Sequence, residues 1–306
     1  MEMRKLEVFC KVIELKSFTR AAEAVLLSQP TVSEHIRSLE EELGQKLIDR
    51  LGREAAPTPV GSLLYKYAVR MLRLHQDALE SVEKYGGKLV GRILIGSGTI
   101  PGTYILPQII GKFRQKYSSI KTTLRIAGSQ LIASEVLAGE LDMAVVGARW
   151  KEKGLEWEKI FSDRLVLVVD AGHRWANRRE VGLEELMKEP FILRESASGT
   201  RSVIDQIFED HGMNPANLRE VAEIGSTAAI KEAVKAGIGV SILSVRSVEQ
   251  DVKFGLLKPI PLNSVRLERP FYLIRRVNRE LSPVSSVFWE YLLQEGVSRQ
   301  ASGAEQ

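Results

Sequence analysis

Three short segments of this 306-residue chain set glycine beside hydroxyl side chains directly after or before β-branched runs: GSGTIPG at 96–102, GSQ at 128–130 and RESASGTR at 194–201. Backbone N–H groups at a strand end or a helix start, joined by Ser and Thr hydroxyls, are donors in search of an acceptor. Their natural ligand is a small anion. The candidate ligand-binding residues are therefore Ser97, Gly98, Thr99, Ile100, Ser129, Gly147, Ser198, Gly199, Thr200 and Thr227. The same residue types also cap helices and close tight turns. Taken singly, each serves the fold as well as it would serve a ligand; their convergence in one cleft is what argues an anion pocket. Arg201 offers either a countercharge or an i,i+4 partner for Asp205.

Other chemistries are poorly served. No GxSxG is present, GSGT lacks the lysine of a P-loop, and proline stands where GxGxxG has its last glycine. Cys10 has no second cysteine to join, and His35, His75, His173 and His211 show no metal-ligand spacing. This argues a binding protein without catalytic residues, metal or cofactor. A composition of 44% hydrophobic and 27% charged residues excludes disorder and collagen-like repeats. No run reaches the length of a membrane span and the charged N-terminus lacks a signal-peptide core, so a cytoplasmic protein with no membrane partner is expected. The net charge of +4 splits into +1 over residues 1–90 and +3 over 91–306, too even to establish a nucleic-acid partner by itself.

The elements that must position these residues fall into two parts. Near the N-terminus, Leu6, Phe9, Cys10 and Ile13 form one helical stripe and Phe18, Ala21, Ala22 and Val25 a second, with Ser17 as its cap. A third stripe, Val32, Ile36, Leu39 and Leu43, follows Pro30 in a first turn and stops at Gly44. Three helices with a tight turn before the last have the dimensions of a helix-turn-helix. The start of the third helix then shows Gln29, Pro30, Thr31, Ser33 and Glu34 to solvent, with Arg37 one turn on. Amide, hydroxyl, methyl and guanidinium groups at those positions suit base edges and phosphates, although an ordinary solvated face has the same look.

The strings FTRAAEA at 18–24 and LSQPTVSEHIRSLEEELGQKLIDR at 27–50, followed by Arg53, Thr58 and Gly61, resemble the N-terminal domain of LysR-type transcriptional regulators. The resemblance implies a winged helix-turn-helix in which Gln29, Pro30, Ser33 and Glu34 read the major groove and Arg53 sits on the wing. Ile48 stands where Phe is usual, Glu34 where a basic or small polar residue is frequent, and Pro57 and Pro59 flank Thr58. Glu34 cannot bind phosphate, but it could accept from a cytosine amine.

Thr58 and Pro59 then start a long helix with Leu64, Ala68, Met71, His75, Ala78 and Val82 spaced as a coiled-coil seam, which ends at Gly86 and Gly87. Self-pairing along it predicts a homodimer, or a homotetramer, presenting two heads to an interrupted palindromic site on double-stranded DNA. Beyond it, runs at 92–95, 122–126, 143–146, 165–169, 191–193, 218–224, 240–243 and 270–275 alternate with helical patterns, which predicts an open parallel α/β arrangement. The resemblance implies two lobes like those of periplasmic binding proteins. The expected division is a DNA-binding domain at 1–58, a linker helix at 59–87 and an effector domain at 91–296, with lobe I at 91–161 and 269–296 and lobe II at 162–268. The strings YILP at 104–107, ILRESASGTR at 192–201, GSTAAIKEAV at 225–234 and GIGVSILS at 237–244 look like the branch of the family associated with sulfur or one-carbon metabolism, the CysB/CbbR kind. That branch implies a small anionic effector such as sulfite, sulfate or a phosphorylated metabolite. A secreted solute-binding protein or an effector-independent DNA-binding regulator are the alternatives.

Overall fold

The computed structural model describes residues 1–49, 55–85, 89–150, 152–263 and 265–303, in two compact units, Met1–Lys88 and Leu89–Gln306. The first unit opens with α1 (Met3–Leu15), α2 (Phe18–Ala24) and α3 (Gln29–Leu43). Their apolar stripes meet: Leu6, Phe9 and Cys10, Ala21, Ala22 and Val25, and Val32, Ile36 and Leu39 form one buried cluster. Ser17 and Ser28 cap α2 and α3 by accepting the N–H of Arg20 and Thr31, and Gly44 closes α3 at φ 63°. Leu43, expected on the inner stripe, is exposed. In that last turn the inward direction belongs to Glu40, which accepts the N–H of Leu47 at 2.9 Å and of Ile48 at 3.3 Å. β1 (Ile48–Asp49) and β2 (Ala56–Pro57) pair antiparallel as the base of the wing. Arg53 lies outside the described residues, as do Gly86 and Gly87.

Helix α4 (Pro59–Tyr85) starts at Thr58, whose hydroxyl accepts from Gly61 N–H at 2.9 Å and donates to the Lys46 carbonyl at 2.7 Å. A Cβ on Gly61 would fall on the Leu47 carbonyl oxygen, so only glycine lets α4 pass this close to the wing. The first half of the expected seam needs correction. Leu64, Ala68 and Met71 pack into this unit's own core, while His75 and Ala78 are exposed. Helix α1 takes one edge of α4 for its own burial. The apolar residues left facing outward are Val60, Leu63, Tyr67, Leu74, Leu79 and Val82.

The second unit begins with β3 (Gly91–Ser97), a π-helical turn at Pro101–Ile105 that runs into α5 (Leu106–Lys116), β4 (Ile120–Ile126), α6 (Ser129–Ala138) and β5 (Met143–Val146). β3 lies between β4 and β5 and is parallel to both. After β6 (Leu155–Asp170) come α7 (Leu183–Leu186), β7 (Phe191–Leu193), α8 (Gly199–Asp210), a 3-10 turn at Pro215–Asn217, β8 (Glu220–Glu223), α9 (Thr227–Lys235), β9 (Ser241–Ser244), α10 (Val245–Lys253) and β10 (Leu257–Ile260). β11 (Glu268–Arg276) and α11 (Pro283–Gly303) end the chain's described structure.

The all-parallel expectation is corrected. β11 is antiparallel to β5 and β6, and β9 and β10 are antiparallel to β6. The physical reason is that β6 and β11 carry the chain across from one lobe to the other and back, so they must run in opposite senses. Ile160, Phe161 and Phe271 belong to one lobe's core with Ile93, Phe113 and Phe288, whereas Leu165, Leu167 and Leu267 belong to the other's with Phe191, Phe208 and Ile242. Between the two cores, Asp163 on β6 and Arg269 on β11 are direct register partners.

Candidate functional site

The start of α3 is the exposed end of the first unit. Gln29, Pro30, Thr31, Glu34 and Arg37 stand in solvent and Ser33 is half-buried. Ser28 as cap and Pro30 in the first turn fix the helix start, and the turn from α2 is closed by Leu26 at φ 56°. The polar groups are mutually paired: Gln29 Nε2 donates to Ser33 Oγ at 3.0 Å and Arg37 Nη2 to Glu34 Oε1 at 2.8 Å. Arg37 Nε also lies 3.6 Å from Glu41. An exposed pair of this kind is worth little in water, so parting Arg37 from Glu34 has a small cost. Behind this face, Glu40 joins α3 to the wing through the two backbone N–H groups and Lys46 Nζ at 2.7 Å. Burial alone would push its carboxyl upward, but these donors outweigh it and hold the pKa below the ordinary carboxylate range. Sequence periodicity gave no sign of this role, because a glutamate in a run of three reads as a solvated face.

Cys10 is packed in the core, where burial and then Glu14 push its thiol up to about 12. It is inert at neutral pH.

In the second unit the three hydroxyl-rich segments converge. A small cavity of about 20 Å³ is lined by Gly98, Thr99, Ile100, Ser129, Gly147, Ser198, Gly199 and Thr200, all anticipated, and by Pro101, Gly128, Arg194, Arg269 and Phe271, which were not. The starts of α6 and α8 and the π-helical turn that begins at Pro101 all open on it, so the positive dipole ends of the two helices face one space; Thr200 N–H is already taken by Ser198 Oγ at 3.2 Å. The lobes approach closely here. A Cβ on Gly199 of α8 would lie 3.1 Å from Ser129 Oγ and 3.2 Å from the Gly147 carbonyl carbon across the cleft, tighter than side chains ordinarily pack.

Two expected residues are elsewhere. Ser97 is fully buried and spends its hydroxyl on the Gly98 carbonyl at 2.9 Å and the Val145 carbonyl at 3.3 Å, fastening β3 to β5. Thr227 does not line the cavity; its Oγ1 accepts from Arg194 Nη1 at 2.8 Å. Arg201 pairs with Asp205 at 2.8 Å rather than supplying a countercharge.

The guanidiniums on the cavity wall are those of Arg194 and Arg269, both buried. Arg269 donates from Nε and Nη2 to Asp163 at 3.0 and 2.8 Å and from Nη1 to Thr200 Oγ1 at 2.7 Å. Its pKa is pulled below the ordinary arginine value by burial, opposed by Asp163 and pulled further by Arg194. An anion placed between two such guanidiniums relieves their repulsion. Arg194 was within a quoted segment yet had no feature marking it as buried. Arg269 is separated from Asp163 by 106 residues, beyond the reach of any local pattern.

Comparison with known proteins agrees with this division. Residues 3–62 match the model of bacterial regulatory helix-turn-helix proteins of the lysR family, and residues 86–296 match the LysR substrate binding domain. A probable RuBisCO transcriptional regulator of Cyanidium caldarium is 31% identical over 94% of this chain and 92% of its own length, and one of Trichormus variabilis is 32% identical over 91% and 84%. Among solved structures, the Synechocystis PCC6803 CcmR regulatory domain in complex with 2-PG superposes with a TM-score of 0.61 at 27% identity, covering 67% of this chain and 96% of that one. The chain therefore belongs to the LysR family of transcriptional regulators, with a DNA-binding helix-turn-helix head and a substrate-binding domain.

Proposed function

We propose that this regulator binds an interrupted palindromic promoter site as a homodimer or homotetramer and that a small organic oxyanion in the cleft modulates that binding. The DNA contacts are assigned to Gln29, Pro30, Thr31, Ser33, Glu34 and Arg37, and to Arg53. The outward stripe of α4, Val60, Leu63, Tyr67, Leu74 and Val82, is the surface for self-pairing, since these residues are exposed in the single chain. The protein works in the cytoplasm and catalyses no reaction; among the described residues no helix is long and apolar enough to cross a membrane.

The observation that carries the effector assignment is the pair of buried guanidiniums, Arg194 and Arg269, opening on a cavity rimmed by helix starts. The donors that line it suit the acid group of a small phosphorylated or dicarboxylic acid. The relatives named as regulators of RuBisCO and the 2-PG complex favour a phosphorylated acid of carbon metabolism. Titration calorimetry of the full chain with 2-PG, inorganic phosphate and acetate tests this. Saturable binding of 2-PG that Arg269→Met removes is the expected result. Heats indistinguishable from dilution for all three would exclude an oxyanion site.

A further inference from the structure

We infer that Glu195 is a tethered competitor for the effector's acid group and sets the concentration at which the cleft fills. This rests on the assignment of the cleft as an oxyanion site. Arg194 is buried, with 4% of its side chain exposed, and its Nε and Nη2 donate to the two carboxylate oxygens of Glu195 at 2.8 and 2.7 Å. That is the side-on fork by which a guanidinium takes a carboxylate or phosphate. Nη2 also donates to the Gly225 carbonyl at 3.3 Å and Nη1 to Thr227 at 2.8 Å. Four of the five N–H bonds of Arg194 are thus engaged within the protein. A ligand meeting Arg194 in the cavity finds one N–H, unless Glu195 withdraws.

Glu195 is placed to withdraw. Its side chain is 29% exposed, against 4% for Arg194, so the carboxylate can turn to water while the guanidinium stays where it is. A buried arginine left without an anion is strongly unfavourable, which makes Glu195 necessary in the empty cleft and dispensable in the filled one. An incoming phosphate or carboxylate replaces one charged fork by another, and the released carboxylate regains solvent. Because Glu195 adjoins Arg194 in the chain, it is present at a high effective concentration. A stray monovalent anion does not displace it, and the effector must reach a threshold before it does. The exchange also touches the opposite lobe: the same loop bonds Ser198 N–H to the Glu195 carbonyl at 2.9 Å, and its Ala197 carbonyl lies 3.2 Å from where a Cβ on Gly128 would stand.

The test is calorimetric titration of full-length protein with inorganic phosphate and with 2-PG. Glu195→Gln, which keeps the shape and loses the charge, is expected to tighten both by a similar factor of about ten, or ~1.4 kcal/mol, since the lost competitor is common to both. Glu195→Asp, one methylene shorter and unable to span Nε and Nη2 equally well, gives a smaller gain. A purely structural Arg194–Glu195 pair predicts the opposite sign, and unchanged or weaker binding in both variants overturns the inference while the oxyanion site stands. If neither ligand binds the wild type or either variant, the cleft assignment itself is wrong. Thr200→Val, which removes a hydroxyl at the cavity wall, separates the cases: it weakens binding in the wild-type and Glu195→Gln backgrounds alike when the cleft is the site.

Discussion

On the head, charged side chains stand in water and pair with neighbours three or four residues away, as Arg37 does with Glu34 and Glu41, Arg4 with Glu7 and Lys11 with Glu14. In the cleft the arginines are buried and bond across the chain, Arg269 to Asp163 over 106 residues and to Thr200 over 69, and Arg194 to Thr227 over 33 as well as to its neighbour Glu195. Exposed pairs are screened by salt and easily exchanged, which suits a surface that must trade internal partners for phosphates. Buried pairs are screened far less and are costly to break, which suits a site that must hold its shape. The same kind of interaction thus serves recognition in one region and specificity in the other.

The sharpest break in that comparison is Arg269→Ala. It leaves Asp163 buried without its register partner, and the second unit is expected to lose about 3–5 kcal/mol in urea denaturation. A loss below ~1 kcal/mol would place the cleft pair in the same class as those of the head. Next comes an exception on the head, the buried Glu40. Its folded pKa is depressed, so its stabilisation is complete above the ordinary carboxylate value of about 4.3 and fades as pH falls through the folded pKa. Acid unfolding of the wing, followed by the Leu47 and Ile48 amide resonances, should begin at lower pH than for an ordinary glutamate. Glu40→Gln should lower stability near neutrality and flatten this acid limb.

Smaller effects sharpen the picture of the head. Glu34→Gln releases Arg37 and is expected to raise affinity for random DNA by about threefold and to steepen the salt dependence by up to about one unit, measured by fluorescence anisotropy across ionic strengths. No change in slope would show that Arg37 does not reach phosphate. Leu26, 91% exposed at φ 56°, sits in a backbone region that disfavours a branched apolar side chain. Leu26→Asn should stabilise the first unit by about 0.5 kcal/mol with no effect on ligand binding, readable as a small rise in its unfolding midpoint.

The contrast also explains what could be read ahead of the structure. Helix starts and stops in the head follow from single residues with local effects: Ser17, Ser28, Pro30 and Gly44 each act where they stand. On α4, Leu64, Ala68 and Met71 were expected to face outward but pack into this unit's own core, which helical spacing alone does not reveal, while His75, Ala78 and Val82 are exposed. In the cleft, eight of the ten expected residues line the cavity because Gly, Ser and Thr at strand ends are a local signal. Ser97 carries the same signal yet is fully buried at the end of β3, where the Gly98 and Val145 carbonyls take up its hydroxyl. Strand β6 was seen only in its apolar half at 165–169. Its other half, with Glu156, Glu158, Lys159 and Asp163, looks like a loop until β11 lies beside it. Arg269 was hidden for the same reason.

The central claim is that an oxyanion held by Arg194 and Arg269 changes how the head engages DNA. Promoter affinity measured with and without saturating 2-PG, in wild type and in Arg269→Met at fixed salt, tests it most directly. The account predicts a shift of roughly five- to 150-fold in the wild type, the usual range of coupling between sites, and none in the variant. Equal affinities with and without 2-PG in the wild type, once calorimetry has shown the cleft to be filled, would contradict it.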